Sequence, residues 1–313
     1  MATVVLLFPG QGSQVPGMGR ELASAFPEAD AIFGAADAAI GADLSRICFE
    51  GPADELTLTH NAQPALLTHG AAVWSVVRSA VAPHVVAAAG HSLGEFTAYH
   101  AADALAFPDA VSLVRTRGRL MFEAGTRRPG TMAAILGDTA IPIEEICRLA
   151  STDGVVVPAN FNCPGQLVIS GEVGPVERAM VLAKEHGAKR AIKLNVSGAF
   201  HSPLLTEAAK GLGDAIDLAL MADAHFPIYA NVNAQPVTDA ALARRLLVDQ
   251  LTAPVQWTRV VHAIAARFPD ALYVEMGPGS VLKGLLRKIV PDATVLGCGT
   301  PIEVELLLAA VAV

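Results

Sequence analysis

The sequence predicts an α/β protein: a large domain on a mostly parallel sheet, with a small α+β domain inserted into it. Two observations carry this. Short apolar runs of β type alternate with alanine-rich helical stretches over most of the 313 residues, the pattern of parallel strands joined by helical crossovers. In the middle of the chain the order changes to β-α-β-β-α-β, that of a ferredoxin-like motif.

The elements follow in order. TVVLLF is a first strand; it runs into a loop from Gly10 to Gly19 and a helix around Glu21. HVVAAAG is a second strand, and LGEFTAYHAADALA reads as the helix after it. Arg127, Arg128, Pro129 and Gly130 form a linker. Then come TMAAILG, a helix near Pro142–Ala150, VVVPANFN, QLVISG, a helix over Val173–His186, and AIKLNV. This divides the chain into a discontinuous large domain, 1–127 and 196–313, and a small ferredoxin-like domain, 128–195. Leu272–Glu275 is a later strand ending in Gly277–Pro278–Gly279, with a helix through Leu282–Ile289. A cleft between two such bodies is a usual place for a small-molecule site.

Composition narrows the function. With 52% hydrophobic and 17% charged residues, the chain can bury a large core and is not disordered. Its mean hydropathy of +0.45 raises the question of a membrane. Charges and prolines interrupt every apolar run before the roughly 18–20 residues that a spanning helix needs. TVVLLF lacks the basic flank of a signal peptide. A formal net charge of −8 argues against general nucleic-acid binding. Cys48, Cys147, Cys163 and Cys298 are scattered, without metal-ligand spacing, and read as buried thiols of a reducing cytoplasm.

Gly90-His91-Ser92-Leu93-Gly94 matches G-x-S-x-G with a strand before it and a helix after it. That sharp turn lifts a serine hydroxyl out of a sheet as a nucleophile, and the helix start offers free N–H groups, including that of Leu93, to an oxyanion. His91 reads as packing beneath the turn. A base is needed. His201, in VSGAFHSP, follows the last strand of the small domain and faces the cleft, though a packing role is open to any of the nine histidines. At about 100° per residue, Arg115 and Arg119 share a solvated face with Glu123, whereas Arg117 lies between Leu113 and Leu120 on the apolar face. A guanidinium there stays charged and needs an anion, which is either a structural carboxylate or a substrate carboxylate held bidentately. FPGQGSQ is not a dinucleotide fingerprint, because Val15 stands where the third glycine belongs.

FPGQGSQ, GHSLGE, RGRLM, ANFNCPGQLVISG, VSGAFHSP, ANVNAQPVTD, DQLTAPVQW and EMGPGSVLKGLL, in this order, resemble bacterial malonyl-CoA:acyl-carrier-protein transacylases from the first strand to about residue 290. The resemblance implies a hydrolase-like large domain carrying the ferredoxin-like insertion. It also implies roles: Ser92 as acylated nucleophile, His201 as its base, and Gln250 orienting His201 through a carbonyl. The N–H groups of Gln11 and Leu93 would form the oxyanion hole and Arg117 would hold the malonyl carboxylate, with Gln63, Asn160 and Asn162 lining the cleft. Two positions depart from the family pattern: Cys163, where serine is commoner, and Ala199, often proline. GAFH resembles malonyl-selective members.

The implied substrates are malonyl-CoA and the phosphopantetheine of an acyl carrier protein, in cytoplasmic fatty acid biosynthesis, with no bound cofactor or metal and no nucleic-acid or membrane partner. A monomer is expected. Lys184, Lys189, Arg190 and Lys193 are candidates for docking an acidic carrier, against the blander reading of a solvated face. Two other readings share the serine: a thioesterase or esterase, which requires an acidic residue reaching His201, and the same transferase serving polyketide synthesis.

Overall fold

Residues 3–312 are described by a computed structural model. The first strand, β1 (Val4–Phe8), is buried at every position, as a central parallel strand covered on both faces must be. Four shorter helices, α1 (Arg20–Ala25), α2 (Pro27–Ile40), α3 (Leu44–Glu50) and α4 (Ala53–Thr57), lead to the long α5 (Thr59–Val81). Then come β2 (Val85–Gly90), α6 (Gly94–Ala101) and α7 (Phe107–Arg127). Helix α6 is shorter than the stretch LGEFTAYHAADALA predicts. It stops at Ala101, and Asp103 has a φ of 59°, a left-handed geometry that aspartate tolerates better than most residues.

One expectation is corrected here. The sequence reading finds no apolar run of membrane-spanning length, yet Thr59–His84 is long and apolar enough by composition to cross a bilayer. Its apolarity has another cause. Helix α5 is buried on most sides between α2, α7 and α14 (Pro301–Val311, the last helix), and a helix surrounded by protein is apolar all round.

The middle of the chain forms β3 (Gly130–Leu136), α8 (Ile143–Ala150), β4 (Val156–Cys163), β5 (Gln166–Glu172), α9 (Val173–Glu185) and β6 (Arg190–Lys193). The strands lie in the order β4-β5-β3-β6, antiparallel throughout, which is the ferredoxin-like arrangement. Ile135, Ile146, Ile169 and Val176 fill a separate small core beneath the two helices.

The chain then returns through α10 (Thr206–Leu218), β7 (Ile228–Tyr229), β8 (Pro236–Val237), α11 (Ala240–Asp249), α12 (Trp257–Arg267), β9 (Leu272–Met276), α13 (Val281–Ile289) and β10 (Val295–Cys298) to α14. The large sheet has the order β10-β9-β1-β2-β7-β8 and is parallel except for β8. Side chains of β1 alternate between two cores: Val4, Leu6 and Phe8 pack with α5, α6 and α7, while Val5 and Leu7 pack with Trp257 and Leu282 on the other face.

Two features of this frame place the site. Strands β1 and β2 end flush, with Phe8 opposite Gly90, so the loops after them emerge side by side at the carboxyl edge, where open α/β sheets bind ligands. In addition, the end of β4 is fastened to the large body by backbone bonds, from Phe161 N–H to Val255 O (2.9 Å) and from Val255 N–H to Ala159 O (2.8 Å).

Candidate active site

The turn after β2 is made possible by close approach. A Cβ on Gly90 would lie 1.9 Å from the backbone of Gly94, and one on Gly94 would lie 2.1 Å from Phe8 O. With both glycines in place, the chain bends sharply enough to put Ser92 at a φ of 52°, a strained value for serine that its surroundings must over-determine. They do so at both ends of the residue. Ser92 N–H donates to Asn231 Oδ1 at 2.7 Å, and Gln250 Nε2 donates to Ser92 O at 3.0 Å.

Ser92 Oγ lies 2.8 Å from His201 Nε2. His201 sits in the loop that leaves β6 and also has a left-handed φ, of 56°. Its Nδ1 lies 2.8 Å from the backbone carbonyl of Gln250. A carbonyl can only accept, so the ring proton is on Nδ1 and Nε2 keeps its lone pair for the serine hydroxyl. Burial first, and then the nearby Arg117 cation, lower the His201 pKa to about 3. The ring is therefore neutral at physiological pH, as a general base must be before it acts. Among the described residues no carboxylate takes the place that an acid holds in a hydrolase triad; the Gln250 carbonyl occupies it.

Arg117, on α7, is 1% exposed. Its Nη1 donates to Gln63 Oε1 (2.8 Å) and its Nη2 to Ser92 Oγ (3.0 Å) and Gln250 Oε1 (2.9 Å). Among the described residues its Nε has no partner and its guanidinium forms no direct ion pair; the buried Glu95 carboxylate acts on it only at one remove, with Gln250 between them. Burial lowers its pKa to about 10, which leaves it charged at neutral pH. A buried cation held by neutral oxygens, with spare donors, is prepared to receive an anion.

These groups surround a cavity of about 180 Å³ between the two bodies. Gln11, Gln63, Ser92, Leu93, Arg117, Asn160, Asn162 and His201 all line it, and Gln250 lies behind them. The backbone N–H groups of Gln11 and Leu93 have no acceptor among the described residues. A larger groove of about 820 Å³ runs past Asp138, Phe161 and Arg259. It contains none of these residues, and chemistry rather than size selects the smaller space.

Arg115 departs from the sequence reading, and two other side chains make contacts beyond it. His91 does pack, its ring 5.5 Å from that of Trp257, but its Nε2 also lies 2.9 Å from Asn162 Oδ1, tying the turn to β4. Arg115 does not share the solvated face with Arg119; it bends inward, donating to His60 O at 2.6 Å and to Asn61. Of the basic cluster in the small domain, Lys193 is paired with Glu177 at 3.1 Å. Arg119 pairs with Glu123 at 2.8 Å as expected.

Two residues of the site escape the sequence reading. Glu95 is fully buried, and its Oε2 accepts from Asn231 N–H (3.1 Å) and Gln250 Nε2 (2.7 Å). Burial raises its pKa to about 7. Asn231 also donates from Nδ2 to Gly90 O at 2.7 Å. The sequence does hold a signal for Glu95: it is the one carboxylate in the helical stretch just after Ser92 whose neighbours Phe96, Ala98 and Tyr99 are apolar or aromatic.

Residues 5–298 match the acyl transferase domain family. The chain is 44% identical over 310 residues to the malonyl CoA-acyl carrier protein transacylase of Bacillus subtilis (strain 168), covering 98% of this chain and 97% of that one. A crystal structure of an acyl-carrier-protein S-malonyltransferase from Bartonella henselae matches with a TM-score of 0.95 at 41% identity, over 99% of this chain and 100% of the other. A malonyl-transacylase solved in complex with a type II polyketide acyl-carrier protein matches with a TM-score of 0.94 at 37% identity, over 99% and 100% of the two chains.

Proposed function

The chain belongs to the malonyl-CoA:acyl-carrier-protein transacylase family of acyltransferases, and from that premise we propose that it moves a malonyl group from CoA to the pantetheine thiol of an acyl carrier protein through an ester on Ser92. Arg117 supports this reading most directly. A buried guanidinium with no carboxylate in direct contact, bonded to the hydroxyl of Ser92, fits an acyl group that carries its own carboxylate.

The steps follow from the contacts. Ser92 Oγ attacks the thioester carbon while its proton passes to His201 Nε2, 2.8 Å away. The new C–O bond forms and the carbonyl becomes an oxyanion, held by the N–H groups of Gln11 and Leu93. The C–S bond breaks, and the proton on Nε2 goes to the departing CoA sulfur. The carrier's thiol then gives its proton to Nε2, its sulfur attacks the ester carbon, and the C–O bond breaks as the proton returns to Ser92 Oγ. The Gln250 carbonyl holds His201 in one orientation throughout, with the proton on Nδ1. Gln63, Asn160 and Asn162 shape the cleft, and residues 128–195 act as the small domain that closes it.

We place the reaction in cytoplasmic fatty acid biosynthesis, with malonyl-CoA and an acyl carrier protein as partners and no bound cofactor. The thioesterase alternative requires an acid on His201, where a backbone carbonyl stands instead. Intact-protein mass after brief exposure to malonyl-CoA tests the proposal. A malonyl adduct that moves onto a carrier bearing its pantetheine thiol supports it. An adduct that decays to malonate whether or not carrier is present overturns the transferase, and no adduct overturns the malonyl-serine step.

A further inference from the structure

We propose that Glu95 is a positioning residue for acyl transfer: one buried carboxylate oxygen fixes Asn231 and Gln250, and through them Ser92, His201 and Arg117 together. The inference rests on the proposed malonyl transfer and deepens it. The contacts form a tree with a single root. Glu95 Oε2 accepts from Asn231 N–H at 3.1 Å and from Gln250 Nε2 at 2.7 Å. Asn231 then holds the N–H of Ser92, and Gln250 holds its C=O. The Gln250 backbone carbonyl takes the Nδ1 proton of His201, and its Oε1 takes Nη2 of Arg117.

This arrangement answers two needs of the site. Ser92 and His201 both have left-handed φ values, 52° and 56°, and neither keeps such a geometry without support on several sides. Gln250 also has two possible amide orientations, and only one presents Nε2 to Ser92 O while offering Oε1 to Arg117. The carboxylate, which near neutral pH acts at Oε2 as an acceptor in either protonation state, selects that orientation. Glu95 touches neither the serine hydroxyl nor the imidazole. Its influence reaches the chemistry through two amide side chains and one main-chain carbonyl, the kind of supporting contact that sets reacting atoms within a fraction of an ångström.

Three variants test this, each with melting temperature, malonyl-CoA KM and the rate of acyl-enzyme formation measured on the full chain. Glu95→Gln keeps an acceptor oxygen within reach of both donors. Glu95→Asp keeps a carboxylate but is too short to reach both, and Glu95→Leu keeps the bulk without an acceptor. Glu95→Asp and Glu95→Leu are expected to slow acylation at least ~30-fold with KM within about threefold of the parent, and Glu95→Gln to restore the rate to within about fivefold. If Glu95→Leu fails to fold, the contrast between Asp and Gln decides. Rates for Asp within about threefold of the parent overturn the proposal, as do a KM that deteriorates in step with the rate and a Gln variant as slow as Asp. The parent protein must form its malonyl adduct in the same experiment; if it does not, the malonyl reading has failed rather than the role of Glu95.

Discussion

Arg117 donates a hydrogen bond to the hydroxyl of Ser92, at 3.0 Å, and the same oxygen lies 2.8 Å from His201 Nε2. The group proposed to recognise the acyl chain therefore touches the group proposed to attack it. A malonyl carboxylate that engages the guanidinium brings its thioester carbon close to Oγ. Arg117→Ala is expected to lower malonyl transfer at least ~100-fold and to affect acetyl transfer far less, because acetyl offers the guanidinium no partner. Transfer rates with malonyl-CoA and acetyl-CoA, measured side by side, check this; equal loss of both removes Arg117 from the selection.

Ser92→Ala is expected to abolish the malonyl adduct seen by intact mass. Among the described residues lining the cavity, Ser92 alone carries a hydroxyl, and that hydroxyl lies 2.8 Å from the neutral His201 imidazole. An unchanged mass shift in this variant would place the nucleophile on another side chain.

Two glycines separate sharply in cost. Gly94→Ala would put a methyl group 2.1 Å from Phe8 O, which belongs to a buried strand and cannot retreat, whereas a methyl group on Gly34 in α2 would meet nothing within 4 Å. Gly94→Ala is expected to destabilise the fold by at least about 3 kcal/mol, and Gly34→Ala to stabilise it by roughly 0.5–1 kcal/mol. Urea unfolding of the two variants beside the parent measures both.

His69 supplies a pH test away from the site. It is fully buried in α5, its Nε2 2.9 Å from Gly299 O, and burial lowers its pKa from 6.5 to about 4, against smaller upward effects of that bond and of Glu303. The folded protein thus binds fewer protons here than the unfolded chain between those two values. Stability from this group is complete above about 6.5 and is lost as pH falls toward 4. His69→Gln keeps a donor for Gly299 O and does not titrate, so the drop in unfolding free energy between pH 7 and pH 4 should shrink by about 3 kcal/mol. An identical drop in parent and variant would contradict this.

Much of this site is legible in the chain itself, and where reading fails the reason is physical. The turn at Ser92 is local, set by adjacent glycines, a strand and a helix start. The buried face of Arg117 follows from helical periodicity, and so does the surface pair of Arg119 with Glu123. Periodicity misplaces Arg115 because it gives the face of α7 but not what the neighbouring α5 presents; His60 O and Asn61 draw its guanidinium inward. The partner of His201 is a main-chain carbonyl 49 residues away, which the family resemblance names and no side-chain pattern by itself records. Glu95 and Asn231 meet only once β7 lies against β2, a tertiary event without a sequence period of its own.

The seam between β4 and Val255 consists of N–H···O bonds between main chains. Such bonds are indifferent to the side chains that project from them. Met132, Val168 and Phe200, by contrast, line the cavity and are also buried in the large apolar core, so exchanging any of them alters packing between the two bodies as well as the shape of the cavity. The main-chain seam thus holds the end of β4 whatever its side chains are, while the apolar walls beside it can change only together with the core they belong to.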